Sequence, residues 1–156
     1  MQWTVIDLAD AMRLARNLSG SWSSVSELVR IVAEQRSRPI DVAAADLTGT
    51  GITGTVLVGI DRDTIVHATD LPPFFAEHVI LHELAHLLCG HVDGVAPGAQ
   101  SRASAHVAHS DPAQELEAEL LATAFAQVRS ERARRSGGVA DDGGFLATLA
   151  PHLLTR

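Results

Sequence analysis

Residues 74–90, FFAEHVILHELAHLLCG, are apolar at most positions and show no stripe of charged residues along one side of a helix. A helix without such a stripe has no face for solvent, so it must be buried on most sides. Leu71, Pro72 and Pro73 interrupt the preceding pattern, as expected where a new helix begins. We therefore expect a central helix around which the rest of the chain packs.

Two shorter helices are predicted before this segment and one long helix after it. Ser24 followed by Glu27 is a capping-box pattern, and Asp111 followed by Pro112 combines a capping residue with a favoured first helical residue. Apolar residues recur at helical spacing after each of these signals and also near the N-terminus. The predicted helices are Val5–Leu18, Val25–Arg36 and 112–135.

Between residues 40 and 69 the sequence changes to short runs rich in β-branched residues, which predict strands at 40–47, 54–60 and 64–69. The expected fold class is α+β, with a small antiparallel or mixed sheet of about three strands packed against a helical bundle. A chain of 156 residues is long enough for one hydrophobic core. We expect a single domain over residues 1–136 and a C-terminal tail over 137–156 that forms at most a short helix.

The composition argues against several classes of function. The formal net charge is −7, whereas a nucleic-acid-binding face needs clustered cations, so no direct contact with nucleic acid is expected. No segment reads as a signal peptide or a membrane span, so no membrane partner is expected. The single cysteine, Cys89, has no partner for an internal disulfide, which is typical of a reducing compartment. We therefore predict a cytoplasmic protein.

Within the central segment, His82-Glu83-Leu84-Ala85-His86 has the H-E-x-x-H spacing. Four residues turn a helix by about 400°, so the two imidazoles lie on one face, where they can bind the same metal ion. Glu83 lies about 100° around the helix, where its carboxylate can take a proton from water. The pattern predicts His82 and His86 as zinc ligands and Glu83 as the catalytic base. The alternative is a helix with two hydrogen-bonded core histidines.

A catalytic zinc site needs a third protein ligand and one open position. The segment QELEAELLATAFA, residues 114–126, offers Glu115, Glu117 and Glu119. With Leu116 at 0° on a helical wheel, the apolar arc runs from about 40° to 180° and contains Leu120, Ala124, Val128, Leu121 and Phe125. Glu117 falls inside this arc at about 100°, and the other two glutamates fall on the opposite face. A buried carboxylate needs a cation or a donor, so Glu117 is the predicted metal ligand, and Glu115 and Glu119 are predicted to be solvated. The alternative pairs Glu117 with an arginine in an ordinary core.

Four further residues carry weaker signals. His91 follows His86 by five residues at the helix end, where it either acts in catalysis, supports a ligand or interacts with the helix dipole. His106 and His109, in the long loop 92–111, are candidates for stabilising an oxyanion, although loop histidines are more typical of plain surface. Cys89 is a conceivable thiolate ligand, but a small buried apolar role is better supported.

Three blocks of the sequence resemble the ImmA/IrrE family of metallopeptidases. They are PIDVAAADLTGTGITG at 39–54, HELAHLLCGH at 82–91 and ELEAELLA at 115–122. The resemblance implies a zincin-like fold of the minimal gluzincin type. It also implies Zn²⁺ as the metal, with His82, His86 and Glu117 as its ligands and Glu83 as the general base.

The same resemblance implies an intracellular zinc endopeptidase that cleaves a regulatory protein, with a helix-turn-helix transcription repressor as the partner and substrate. We expect an extended segment of that substrate to pair with the sheet edge near the 54–69 hairpin. The alternative is a non-catalytic, zinc-containing regulatory or toxin-antitoxin-type module that binds a protein. The presence of Glu83 favours the enzyme, because a structural zinc site needs no base and usually has four protein ligands.

Overall fold

The structure is a computed structural model that describes residues 4–18, 20–93, 95–97, 100–101 and 111–137. The helices within these residues are α1 (Leu8–Asn17), α2 (Val25–Arg36), α3 (Pro73–Leu88) and α4 (Pro112–Arg135). The strands are β1 (Ile40–Ala45), β2 (Gly54–Val58), β3 (Asp63–Ala68) and β4 (Gln100–Ser101). The predicted α+β class is confirmed. His106, His109 and all of the predicted tail except Gly137 lie outside the described residues.

The strands form one mixed sheet in the order β1-β3-β2-β4. β2 and β3 are an antiparallel pair with Val56 opposite Ile65, while β1 runs parallel to β3 with Val42 opposite the same Ile65. Of the two predicted forms of the sheet, the mixed one is therefore correct. β4, which was not predicted, pairs antiparallel with Val56 and Leu57 and lies on the outer side of β2.

Short polar signals determine where the helices begin. Ser24 accepts a hydrogen bond from the amide of Glu27, and the Glu27 carboxylate accepts one from the amide of Ser24, so the capping box of α2 is confirmed. Asp111 caps α4 by accepting from the amide two residues later at 2.9 Å. Helix α1 begins at Leu8, later than predicted, because Asp7 has extended backbone and is its N-cap.

Helix α3 lies at the centre of the fold, packed against α4, α2 and the β2–β3 hairpin. As the lack of a polar face predicts, several of its apolar residues are buried: Val79, Leu81, Leu84, Leu87 and Leu88. Helix α4 packs against both α3 and α1, and near its middle Phe125 meets Trp22 edge to face with ring centroids 6.0 Å apart. This arrangement places α4 directly alongside the H-E-x-x-H residues.

A buried carboxylate connects the sheet to α2 and to the end of α3. Asp63 is 1% exposed, and its Oδ2 lies 3.2 Å from Arg36 Nη2 and 3.0 Å from Arg38 Nε. Arg36 also donates a hydrogen bond to the backbone carbonyl of Leu87. Two arginines therefore hold β3, α2 and the C-terminal end of α3 together, and the last of these carries the candidate site.

Candidate metal centre

His78, His82 and His86 lie one helical turn apart along one face of α3. Helix α4 packs on that face and brings Glu115 to the last two histidines. His82 Nε2 lies 3.1 Å from His86 Nε2 and 3.2 Å from Glu115 Oε2, and His86 Nε2 lies 3.6 Å from Glu115 Oε1. The structure thus brings His82 and His86 together with a carboxylate.

The donor atoms of this group suit a zinc ion. Zinc binds imidazole nitrogen and carboxylate oxygen at about 2.0–2.2 Å, so two ligands of a tetrahedral ion lie about 3.3–3.5 Å apart. The observed separations of 3.1, 3.2 and 3.6 Å lie on either side of that range. Two imidazoles and one carboxylate are also a donor set that catalytic zinc sites use, with the fourth position left for water or substrate.

Glu115 lies beside His82 and His86, whereas Glu117, the ligand that the sequence predicts, lies beside His91. The apolar arc of the wheel contained Leu120, Leu121, Ala124, Phe125 and Val128, but it left out Ala118 and Ala122, which are fully buried. The buried face of α4 is therefore wider than the predicted arc. Relative to Ala118, Glu115 and Glu119 lie about 60° and 100° to one side, whereas Glu117 lies about 100° to the other. Glu115 and Glu119 both contact histidines of α3, so α3 lies on their side of α4.

Glu115 and Glu119 contact histidines, although their side chains are 30% and 41% exposed and so remain partly solvated, as predicted. Glu119 Oε2 lies 3.2 Å from His82 Nδ1, and Glu119 Oε1 lies 3.1 Å from His78 Nε2. A carboxylate on Nδ1 of a histidine orients the ring and leaves Nε2 for a metal. The sequence signal for this arrangement is the four-residue spacing of Glu115 and Glu119, which matches the spacing of the histidines.

Glu117 belongs to a second group, with Cys89 and His91, whose ligand atoms lie within 4.8 Å of one another. Its Oε2 lies 2.8 Å from His91 Nε2, and its Oε1 accepts a hydrogen bond from the backbone amide of Val5. Its partner is therefore a histidine, and not the arginine of the alternative interpretation. His91 Nδ1 lies 2.8 Å from His86 Nδ1, so the two groups are joined through a pair of imidazole rings.

In the group formed by His82, His86 and Glu115, the balance of burial and charge leaves His82 protonated. Burial lowers the pKa of His82, but its contacts with Glu115 and Glu119 outweigh burial and raise this pKa to about 9. Burial lowers the pKa of His86. Burial raises the pKa of Glu115, but its contacts with the two histidines lower this pKa to about 2. The metal-free site is thus held by a protonated His82 beside an ionised carboxylate, and a divalent cation can replace that proton.

Glu83, the predicted catalytic base, lies one residue after His82 and is 0% exposed. Its carboxylate lies against the start of β2, since a Cβ placed on Gly54 would lie 3.4 Å from Glu83 Oε1. The same Cβ would overlap Cγ1 of Val79 on α3. Glycine at position 54 therefore allows α3 to approach the sheet closely enough to enclose Glu83.

Neither a protein-family model nor a curated protein matches this chain. The resemblance to the ImmA/IrrE metallopeptidases therefore stays a prediction that rests on the three sequence blocks. None of the helices in the described part of the chain is long and apolar enough to cross a lipid bilayer.

Proposed function

We propose that this chain is a zinc-dependent endopeptidase of the gluzincin type, with His82, His86 and Glu115 as the zinc ligands. The observation that carries the proposal is the convergence of two Nε2 atoms and one carboxylate at separations that suit zinc, next to Glu83 in the H-E-x-x-H spacing. The resemblance to the ImmA/IrrE metallopeptidases supports the same activity. Cys89 is a buried free thiol, which supports a cytoplasmic location.

The residues of the site have separate roles in this proposal. A zinc ion held by His82, His86 and Glu115 would act as a Lewis acid that polarises the scissile carbonyl and makes water more acidic. Glu83 accepts the proton of the attacking water and later returns it to the leaving amine. Glu119 holds the His82 ring through Nδ1, so that Nε2 stays directed at Glu115 and His86.

We propose a helix-turn-helix transcription repressor as the protein substrate. The support is the family resemblance and the net charge of −7, which is unsuited to binding DNA directly. The sheet edge expected to receive an extended substrate segment is the outer side of β2, where β4 already pairs with Val56 and Leu57. Because β4 has only two residues, we expect a substrate strand to replace it there through main-chain hydrogen bonds.

The test compares the zinc-loaded wild-type chain with Glu83→Gln. Glutamine keeps nearly the same shape but does not accept a proton at neutral pH, so turnover should fall about 100-fold or more while zinc content and melting temperature stay unchanged. The substrates are a repressor encoded beside this chain and an unrelated unfolded protein. One discrete cut in the repressor, lost in Glu83→Gln, supports the proposal, whereas equal cleavage by both proteins removes the enzyme hypothesis.

The complete burial of Glu83 favours a second candidate function, because a catalytic base must reach water. This candidate is a non-catalytic, zinc-containing regulatory or toxin-antitoxin-type module that binds a partner protein. The same experiment separates the two functions. Stable binding to the repressor without a cut at any zinc loading supports the module.

A further inference from the structure

A continuous series of contacts leads from the N-terminal segment to the proposed zinc ligands. The backbone amide of Val5 donates to Glu117 Oε1, and Glu117 Oε2 lies 2.8 Å from His91 Nε2. His91 Nδ1 lies 2.8 Å from His86 Nδ1, and His86 Nε2 faces His82 Nε2 at 3.1 Å. The side chains of His86, His91 and Glu117 are 1%, 6% and 16% exposed, so water competes little for these contacts.

The Glu117 carboxylate determines which ring nitrogens of His91 and His86 carry protons. A carboxylate oxygen accepts and does not donate, so the proton in the contact between Glu117 and His91 lies on His91 Nε2. A neutral imidazole protonated on Nε2 has its lone pair on Nδ1, so His91 Nδ1 is the acceptor in its contact with His86. His86 Nδ1 then carries the donated proton. The lone pair of His86 is left on Nε2, the atom that faces His82 and Glu115.

We propose that Glu117 and His91 are positioning residues that together set the tautomer of His86 and present its Nε2 to the metal. The inference rests on the proposed zinc site. His82 receives the same support directly, because Glu119 contacts its Nδ1 at 3.2 Å. The three glutamates in the first turns of α4 then differ in role, since Glu115 is a ligand while Glu117 and Glu119 orient the two ligand histidines.

Two other arrangements place the protons differently. A His91 protonated on both nitrogens would donate from Nδ1, which would leave the His86 proton on Nε2 and block metal binding there. A second metal ion held by Cys89, His91 and Glu117 would instead remove the proton from His91 Nε2. Glu117 already accepts hydrogen bonds from Val5 and His91. Burial, and then the charge of Glu117, raise the pKa of the Cys89 thiol to about 12, so without an ion the thiol is protonated and offers no thiolate.

The first experiment identifies the tautomers by NMR in the metal-free wild-type chain with ¹⁵N-labelled histidine. Couplings between the ring nitrogens and ring C–H protons show which nitrogen is protonated, and single-histidine variants assign the signals. We expect His86 protonated on Nδ1 and His91 on Nε2. A proton on His86 Nε2, or protons on both nitrogens of His91, would overturn the inference. No zinc is needed, so the result does not depend on the proposed function.

The second experiment compares the zinc affinities of His91→Phe and His91→Asn by competition with a coloured chelator. Phenylalanine keeps a ring but removes the acceptor for His86 Nδ1, so affinity should fall about 10–100-fold. Asparagine places an amide oxygen near the former Nδ1, so it should retain affinity within about threefold of the wild type. Equal affinity of His91→Phe and the wild type would contradict the inference. The melting curve of His91→Phe shows whether this variant folds. If it does not fold, the NMR measurement of the wild-type tautomers tests the inference by itself.

Cobalt titration distinguishes the positioning role from the second metal site. One cobalt ion per chain, without thiolate charge-transfer absorption, is the expected result. Two ions per chain, with a thiolate band that Cys89→Ser removes, would overturn the inference, because His91 and Glu117 would then be ligands themselves. Failure of the wild type to bind any metal would refute the proposed zinc site, and the tautomer measurement would still test the role of Glu117 and His91.

Discussion

His82 Nε2 and His86 Nε2 lie 3.1 Å apart, and the Glu115 carboxylate reaches both. Two imidazole nitrogens and a carboxylate oxygen at this separation can share one ion. Glu117 lies beyond His91, with two imidazole rings between its carboxylate and the same ligand atoms. The two glutamates are therefore expected to affect zinc binding to different extents.

We expect Glu115→Ala to abolish zinc binding, because it removes one of three protein ligands. Glu117→Ala should weaken zinc binding about 10–100-fold without abolishing it, because it removes only the support of His91. Native mass spectrometry and chelator competition measure both effects. Glu34→Ala, at an exposed glutamate of α2 paired with Arg30, is the control and should bind zinc like the wild type. Zinc retained in Glu115→Ala but lost in Glu117→Ala would restore the prediction from the sequence.

Zinc binding at pH 7.5 should release about one proton. Burial lowers the pKa of His82, but Glu115 and Glu119 raise it to about 9, so His82 is protonated at this pH. Burial lowers the pKa of His86, which is therefore already neutral. A ligand nitrogen must lose its proton, so the apparent zinc affinity should fall about tenfold for each pH unit below 8. Calorimetry in buffers of different ionisation enthalpy counts the protons, and a count near zero would contradict this prediction.

Gly54→Ala should destabilise the protein by about 1–3 kcal/mol, because the added methyl group overlaps Val79 Cγ1 and forces α3 away from β2. Urea denaturation measures the change in the free energy of unfolding. The double variant Gly54→Ala/Val79→Ala relieves the overlap, so its loss of stability should be smaller than the sum of the two single losses. Additive losses would show that Gly54 and Val79 are not in contact.

Asp63→Ala should cost about 3 kcal/mol of the free energy of unfolding, because it leaves Arg36 and Arg38 without the buried carboxylate that both contact. Chemical denaturation gives this value. Asp41→Ala is the matched control on the same sheet, since Asp41 is half exposed in its ion pair with Arg62 and should cost little. Equal losses of unfolding free energy in Asp63→Ala and Asp41→Ala would mean that a buried carboxylate stabilises the fold no more than an exposed one.

Sequence alone determined the features that depend on neighbours along the chain. The apolar character of residues 74–90 on all sides predicted that α3 is central, because a helix without a polar face has to be enclosed. The four-residue spacing placed His82 and His86 on one face by helix geometry alone. The capping box at Ser24 and Glu27 predicted the start of α2 at its observed residue, since both hydrogen bonds are local.

Only the tertiary structure decided which glutamate meets the histidines. A helical wheel orders Glu115, Glu117 and Glu119 around α4, but it contains nothing about the direction in which α3 lies. The buried face of α4 extends beyond the predicted arc to Ala118 and Ala122, because α4 is covered by both α1 and α3. The parallel pairing of β1 with β3 and the addition of β4 were decided in the same way, because they depend on contacts between segments far apart in the chain.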